Sequence, residues 1–194
     1  MGVESELKKF IVLHPYLSTI SKLLRTPKFS YKVSEAYWLG NNELKKIKPE
    51  DYGVLLKNFV KQGVPAWLVG ELEKNPPKEF IPTHLFQVLH VGVGRASGSV
   101  PYNIKTINNC MVRWGKVIEI SDGKVKVDLK SLKKNGKKYT LVKKIEKASI
   151  VPGFLRGLKK GSVVAVHWGQ AIKILNADEV RKITYWTKKV LSSL

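Results

Sequence analysis

Val112-Arg113-Trp114-Gly115-Lys116-Val117-Ile118-Glu119-Ile120-Ser121-Asp122-Gly123-Lys124-Val125-Lys126-Val127-Asp128-Leu129 sets two alternating runs on either side of an Asp-Gly pair. Val112, Trp114, Ile118 and Ile120 lead into the pair, and Val125, Val127 and Leu129 leave it. A side-chain period of two belongs to a strand with one buried face, and Asp-Gly between two such runs signals a hairpin. Asn135-Gly136 marks a second turn, ahead of Tyr139, Leu141 and Ile145. Val163–Trp168 and Ala171–Leu175 bring the set to about five short strands, which suits a small OB-like β-barrel. Lys124, Lys126, Lys130 and Lys138 hold alternate positions and so place positive charge on its outer face.

Upstream the period is helical. Glu4–Leu13 and Tyr16–Leu24 carry apolar residues at three-and-four spacing, with a break expected at Pro15. Ser30–Leu39 repeats the pattern. Pro49 opens a further helix whose stripe is Tyr52, Leu55, Leu56, Phe59 and Val60, and Gly63 stops it. Pro65–Lys74 and Pro82–Val91 are two more candidates. Val91-Gly92-Val93-Gly94-Arg95-Ala96-Ser97-Gly98-Ser99-Val100-Pro101 reads as a tight linker; an anion-binding turn around Arg95 is the alternative. At the other end, Asn176 with Glu179 forms a capping box. The helix it opens gathers Val180, Ile183, Thr187, Val190, Leu191 and Leu194 on one face. The expected class is α+β: a helical domain over 1–109 ending in the Gly-rich linker, then a barrel with a C-terminal helix over 110–194.

The 194 residues carry a net charge of +20, of which residues 100–194 contribute +15. Such a field attracts polyanions; the competing reading is a lysine-rich solvated surface of the kind thermophiles use. Lysines number 30 against 5 arginines, and arginine is the commoner fork for bases and phosphates. No run of eighteen apolar residues exists, so no transmembrane helix is expected. The N-terminus starts acidic, without a basic-then-apolar signal, and a cytoplasmic protein is expected. The single cysteine excludes an intrachain disulfide and a zinc site of several cysteines.

No Gly-x-Ser-x-Gly and no paired carboxylates occur, so a non-enzymatic protein is expected. His14 reads as an ordinary helix residue, and His84 and His90 stand six apart, a poor metal pair on their own. Cys110 and His167 differ. Cys110 precedes the first strand and His167 ends another, so one end of a five-stranded barrel can bring them together. A thiolate and an imidazole suit a soft or borderline metal such as iron, and Arg113 and Lys116 nearby favour the thiolate. The alternative is a buried filler thiol and a hydrogen-bonded strand histidine.

Cys110-Met111-Val112-Arg113-Trp114-Gly115-Lys116-Val117, followed later by Gly161, Val164, Val166, His167, Gly169, Ala171 and Ile172, resembles the small HypC/HupF-type hydrogenase assembly chaperones. Two departures stand out: Trp114 replaces a proline, and Cys110 lies behind 109 residues rather than at the N-terminus. The resemblance implies an OB-like barrel with a C-terminal helix. It also implies a role for Cys110, with His167, in carrying iron transiently as an Fe(CN)2CO unit toward the hydrogenase large subunit. The whole chain is similar to an uncharacterised prokaryotic family through Ser34–Asn41, Pro82–Val91 and Asn109–Gly115.

The leading expectation is therefore an accessory protein that binds a metalloenzyme precursor or a maturation partner of nickel–iron hydrogenase. Cys110 and His167 would be its metal or docking residues, with His90, Arg95, Trp114 and Trp168 lining the same cleft. The alternative is a nucleic-acid-binding protein using the basic barrel through Lys116, Lys124, Lys126 and Lys138, with Trp114 for stacking. No membrane partner is expected.

Overall fold

The computed structural model describes residues 3–136, 138–151 and 153–194. Met1 and Gly2, part of the N-terminal stretch read above for a signal, lie outside the described residues. The chain divides into two compact units, Met1–Tyr102 with Trp186–Leu194, and Asn103–Tyr185. No helix among the described residues is long and apolar enough to cross a membrane.

The first unit is helical: α1 Val3–Leu7, α2 Leu13–Leu24, α3 Tyr31–Trp38, α4 Tyr52–Gln62, α5 Ala66–Lys74 and the single turn α6 His84–Phe86. Pro15 does not break a helix. It sits in the first turn of α2, where its missing N–H removes no intrahelical bond, and the chain bends earlier, around Lys8–Phe10. Ser30 caps α3 by accepting from the Val33 N–H, and Gly63 ends α4 with φ of 81°. Of the expected α4 stripe, Tyr52, Leu55 and Phe59 are buried but Val60 is exposed. The core centres on Tyr16, whose ring lies 5.9 Å from both Tyr37 and Phe59.

Pro82–Val91 is not one regular helix. Thr83 caps α6, and Gln87–Gly92 then widens into a π-turn. This places two histidines in separate polar contacts. The Tyr37 hydroxyl donates to Gln87 Oε1 and lies 2.8 Å from His84 Nδ1, so Nδ1 carries the imidazole proton. His90 Nε2 lies 2.9 Å from the Tyr52 hydroxyl. In the last residues of the chain, Trp186 covers Gly40, where a Cβ would stand 2.2 Å from the indole.

The second unit holds α7 Ile104–Cys110, then β1 Arg113–Ser121, β2 Lys124–Asn135, β3 Lys138–Ile150, β4 Val163–His167 and β5 Gln170–Ile174. The strands close in the order β1-β2-β3-β5-β4, with β3 and β5 the one parallel pair among the described strands. That is an OB-like barrel. Its interior is Val117, Val125, Val127, Leu129, Ala148, Val164, Val166 and Ala171, capped by Leu155 from the β3–β4 connection. Gly115 is dictated by packing: a Cβ there would lie 2.0 Å from the Asp128 carbonyl oxygen of β2. Asp122 and Gly123 both take positive φ, 48° and 69°, as a type I′ hairpin requires. At the second turn Asn135 still pairs with Lys138, so the reversal falls one residue later than expected.

Asn176 and Glu179 form the capping box of α8, Ala177–Ser193, with reciprocal bonds of 2.9 and 3.0 Å. Ile183, Thr187 and Val190 of its expected face are buried, whereas Leu194 is exposed. The last turns of α8 belong to the helical unit.

Candidate functional site

Cys110 is placed by a helix that the hydrophobic pattern did not announce. Asn103 caps α7 by accepting from the Thr106 N–H. One turn later, the Asn108 amide replaces a strand partner at the edge of β2. Its Nδ2 donates to the Leu132 carbonyl at 2.9 Å, and its Oδ1 accepts from the Leu132 N–H at 2.7 Å. The helix end is thereby fixed to the barrel, and the buried thiol of its final residue with it.

The facing element is the β4–β5 hairpin. His167 ends β4 and pairs with Gln170, leaving a two-residue loop of Trp168 and Gly169. Both loop residues are left-handed, with φ of 49° and 72°. This is the type I′ geometry that usually takes Asn-Gly. A tryptophan held in that conformation costs about 1–2 kcal/mol, and local contacts hold it. Its backbone N–H donates to the Asn109 carbonyl at 2.7 Å, and its indole N–H donates to the Cys110 sulfur. The Trp168 side chain is half-exposed, and strain of this kind clusters at ligand clamps and active sites in general.

His167 completes the cluster. Its ring donates to the Cys110 backbone carbonyl, and one of its ring nitrogens lies within 4.8 Å of Cys110 Sγ. Carbonyls that α7 leaves open at its C-terminus are thus taken up by the hairpin. A histidine whose N–H is held by a backbone carbonyl has a fixed tautomer, the arrangement typical of metal-ligating imidazoles.

Burial sets the protonation states. It pushes the Cys110 thiol up to about 11, against the smaller opposing effect of the indole N–H. It pulls the His167 imidazole below its ordinary value, against the smaller effect of the Cys110 carbonyl. The expected assistance from Arg113 and Lys116 is absent. Arg113 is buried and bound to Glu146 at 2.6 Å and to Ser131 at 3.3 Å, so its charge is neutralised locally. Lys116 is exposed to water. At neutral pH the pair is a thiol and a neutral imidazole. Only about one thiol in ten thousand is ionised at pH 7, too few for an unassisted nucleophile. A soft or borderline metal changes that balance, since coordination itself displaces the thiol proton.

The remaining candidates are engaged elsewhere. His90 bonds the Tyr52 hydroxyl, lies 4.8 Å from the Phe86 ring, and is pulled down to about 4 by burial. Arg95 pairs with Glu71 at 2.7 Å and lies over the Trp67 ring. The backbone N–H groups of Arg95, Ser97 and Gly98 donate to the Gly92 and Gly94 carbonyls, so the glycine turn closes on itself. Trp114 is buried and cannot offer a stacking face. Lys116, Lys124 and Lys126 share the outer barrel face, whereas Lys138 pairs with Asn135 at the far end of the hairpin. Pattern reading missed Asn108 and Asn109, although Asn103 three residues before Thr106 is the cap that announces α7.

The chain belongs to the family of unknown function DUF6390, whose model matches residues 1–194. No curated protein and no solved structure matches it.

Proposed function

We propose that this member of the family is a non-enzymatic accessory protein that offers Cys110 and His167 to the metal centre of a metalloenzyme precursor. The observation that carries the reading is the pair itself: a thiol sulfur and an orientated imidazole nitrogen within 4.8 Å of each other, each on a different element of the second unit. The order and spacing of the two sequence blocks, shared with HypC/HupF-type chaperones, supports nickel–iron hydrogenase assembly as the setting.

The donor set fits an iron cargo. Thiolate and imidazole both suit iron, and an Fe(CN)2CO unit carries ligands of its own, so a few protein donors hold it transiently. This chain's residues would orient and release it. The carbonyl of Cys110 fixes the imidazole, and the Trp168 indole N–H stabilises the sulfur once its proton has left. The high affinity of the thiol for its proton favours release: reprotonation competes with the metal, as a carrier requires.

The test is anaerobic affinity capture of the tagged full chain from its own cells, with nuclease present. The reading expects a hydrogenase large-subunit precursor or a maturation factor with the wild type, and its loss with Cys110→Ser and with His167→Ala. Retention of the same partner by both variants would contradict the thiol–imidazole role.

A further inference from the structure

The outer face of β1–β3 breaks a rule of sheet stability. Val125, Val127 and Leu129 point into the core, so Lys124, Lys126, Asp128 and Lys130 of β2 point outward. On that face Lys126 stands directly opposite Lys147, and Lys130 directly opposite Lys143. Like charges facing each other across a pair are destabilising. Lys116 and Lys124 share the face, opposite Asp128 and Ser121. Two carboxylates stand among these six lysines: Glu119, 4.0 Å from Lys126, and Asp128, 3.5 Å from Lys143. No ion pair among the described residues involves Lys116, Lys124, Lys130 or Lys147. Each like-charge pair has one carboxylate beside it and the other lysine unpaired among the described residues, and a local rule so incompletely offset in the fold points to function.

The chemistry of the face narrows the occupant. Its charges are ammonium groups recurring at two-residue steps, about 6.7 Å along a strand. Such a pattern complements a polymer with evenly spaced anions better than one arrangement of carboxylates. Lysines bind phosphates as point charges, and phosphate contacts read no bases. Single-strand binders add exposed aromatics on which bases stack. Here Trp114 is buried, and the large exposed apolar residue of the face is the aliphatic Ile145, opposite Asp128. A duplex keeps its bases stacked inside and presents the denser row of phosphates.

We propose that the outer face of β1–β3 binds the phosphate backbone of double-stranded nucleic acid, without base selectivity, through Lys116, Lys124, Lys126, Lys130, Lys143 and Lys147. This surface is independent of Cys110 and His167, so Cys110→Ser leaves it unchanged.

The experiment is fluorescence anisotropy of the full chain with a 20-base-pair labelled DNA duplex across a salt series. Contact with four to six phosphates gives a slope of log affinity against log salt of about −4 to −5. Replacing Lys126, Lys130, Lys143 and Lys147 together by Gln should make that slope shallower by about 3 to 4. The variant relieves repulsion, so its fold is retained, which circular dichroism checks. A control variant removes four exposed lysines of the same charge elsewhere, Lys8, Lys57, Lys61 and Lys188, and should keep the wild-type slope. Equal losses in both variants would overturn the proposal, as would a salt-independent affinity. Binding of an acidic polyglutamate probe but not of the duplex would overturn it in favour of an acidic protein partner.

Discussion

The imidazole of His167 donates to the backbone carbonyl of Cys110, so the ring is orientated by the very residue whose sulfur lies beside it. A side chain at the end of β4 and the last residue of α7 thus form one unit. The indole of Trp168 adds a third contact, to the sulfur.

Thiol reactivity follows from that environment. The folded thiol titrates at about 11, so its alkylation rate should rise about tenfold per pH unit from 7 to 10. Trp168→Phe removes the indole donor and should move the profile to higher pH. Stopped-flow alkylation reads both; a plateau below pH 9 would contradict the assigned burial.

Asn108 is the residue on which the site hangs. Asn108→Ala leaves the buried N–H and carbonyl of Leu132 without their side-chain partner. The expected loss is about 2–4 kcal/mol in chemical denaturation, with faster alkylation of Cys110 as the end of α7 loosens. Unchanged stability would show that water replaces the amide freely.

Gly115→Ala tests the steric reading of the Gly-Lys-Val block. The added Cβ would meet the Asp128 carbonyl at 2.0 Å, forcing β1 and β2 apart. A loss of about 3 kcal/mol is expected, seen as a melting temperature lower by roughly 5–10 °C. An unaltered melting temperature would contradict the close approach of the strands.

Acid should weaken the helical unit through His90. Its folded value of about 4 lies below the ordinary 6.5, so the unfolded chain binds the proton more readily. The stability is fully present above pH 6.5 and is lost progressively as pH falls toward 4, by about 3 kcal/mol in all. His90→Gln should flatten that slope in urea titrations at pH 7, 5.5 and 4.5; an identical slope in the variant would contradict it.

The barrel was legible because alternation survives burial: Val125, Val127 and Leu129 face the core as their spacing requires. The Asp122-Gly123 hairpin was legible because its chemistry matches its dihedrals. Trp168-Gly169 makes the same kind of turn, yet tryptophan is not a turn signal, so contacts with Asn109 and Cys110 overrode local preference. α7 is too short for an amphipathic pattern, and only its cap marks it. Pro15 reads as a breaker in the sequence because a proline at a helix start and one in its interior look alike until the preceding turn is known. Pairing of Arg113 with Glu146 joins residues from two strands that meet neither in register nor in sequence, so its loss as a thiolate partner was invisible.

In the function proposed above, Cys110 and His167 jointly ligate a soft or borderline metal. Anaerobic titration of the full chain with Co(II), as a spectroscopic stand-in for iron, tests it most directly. A thiolate-to-metal charge-transfer band is expected, with release of about one proton per bound ion at pH 7.5. The band should be absent in Cys110→Ser and weakened at least tenfold in affinity in His167→Ala. No band in the wild type, or the same binding in Cys110→Ser, would rule out the thiol as a ligand and leave Cys110 a packing residue.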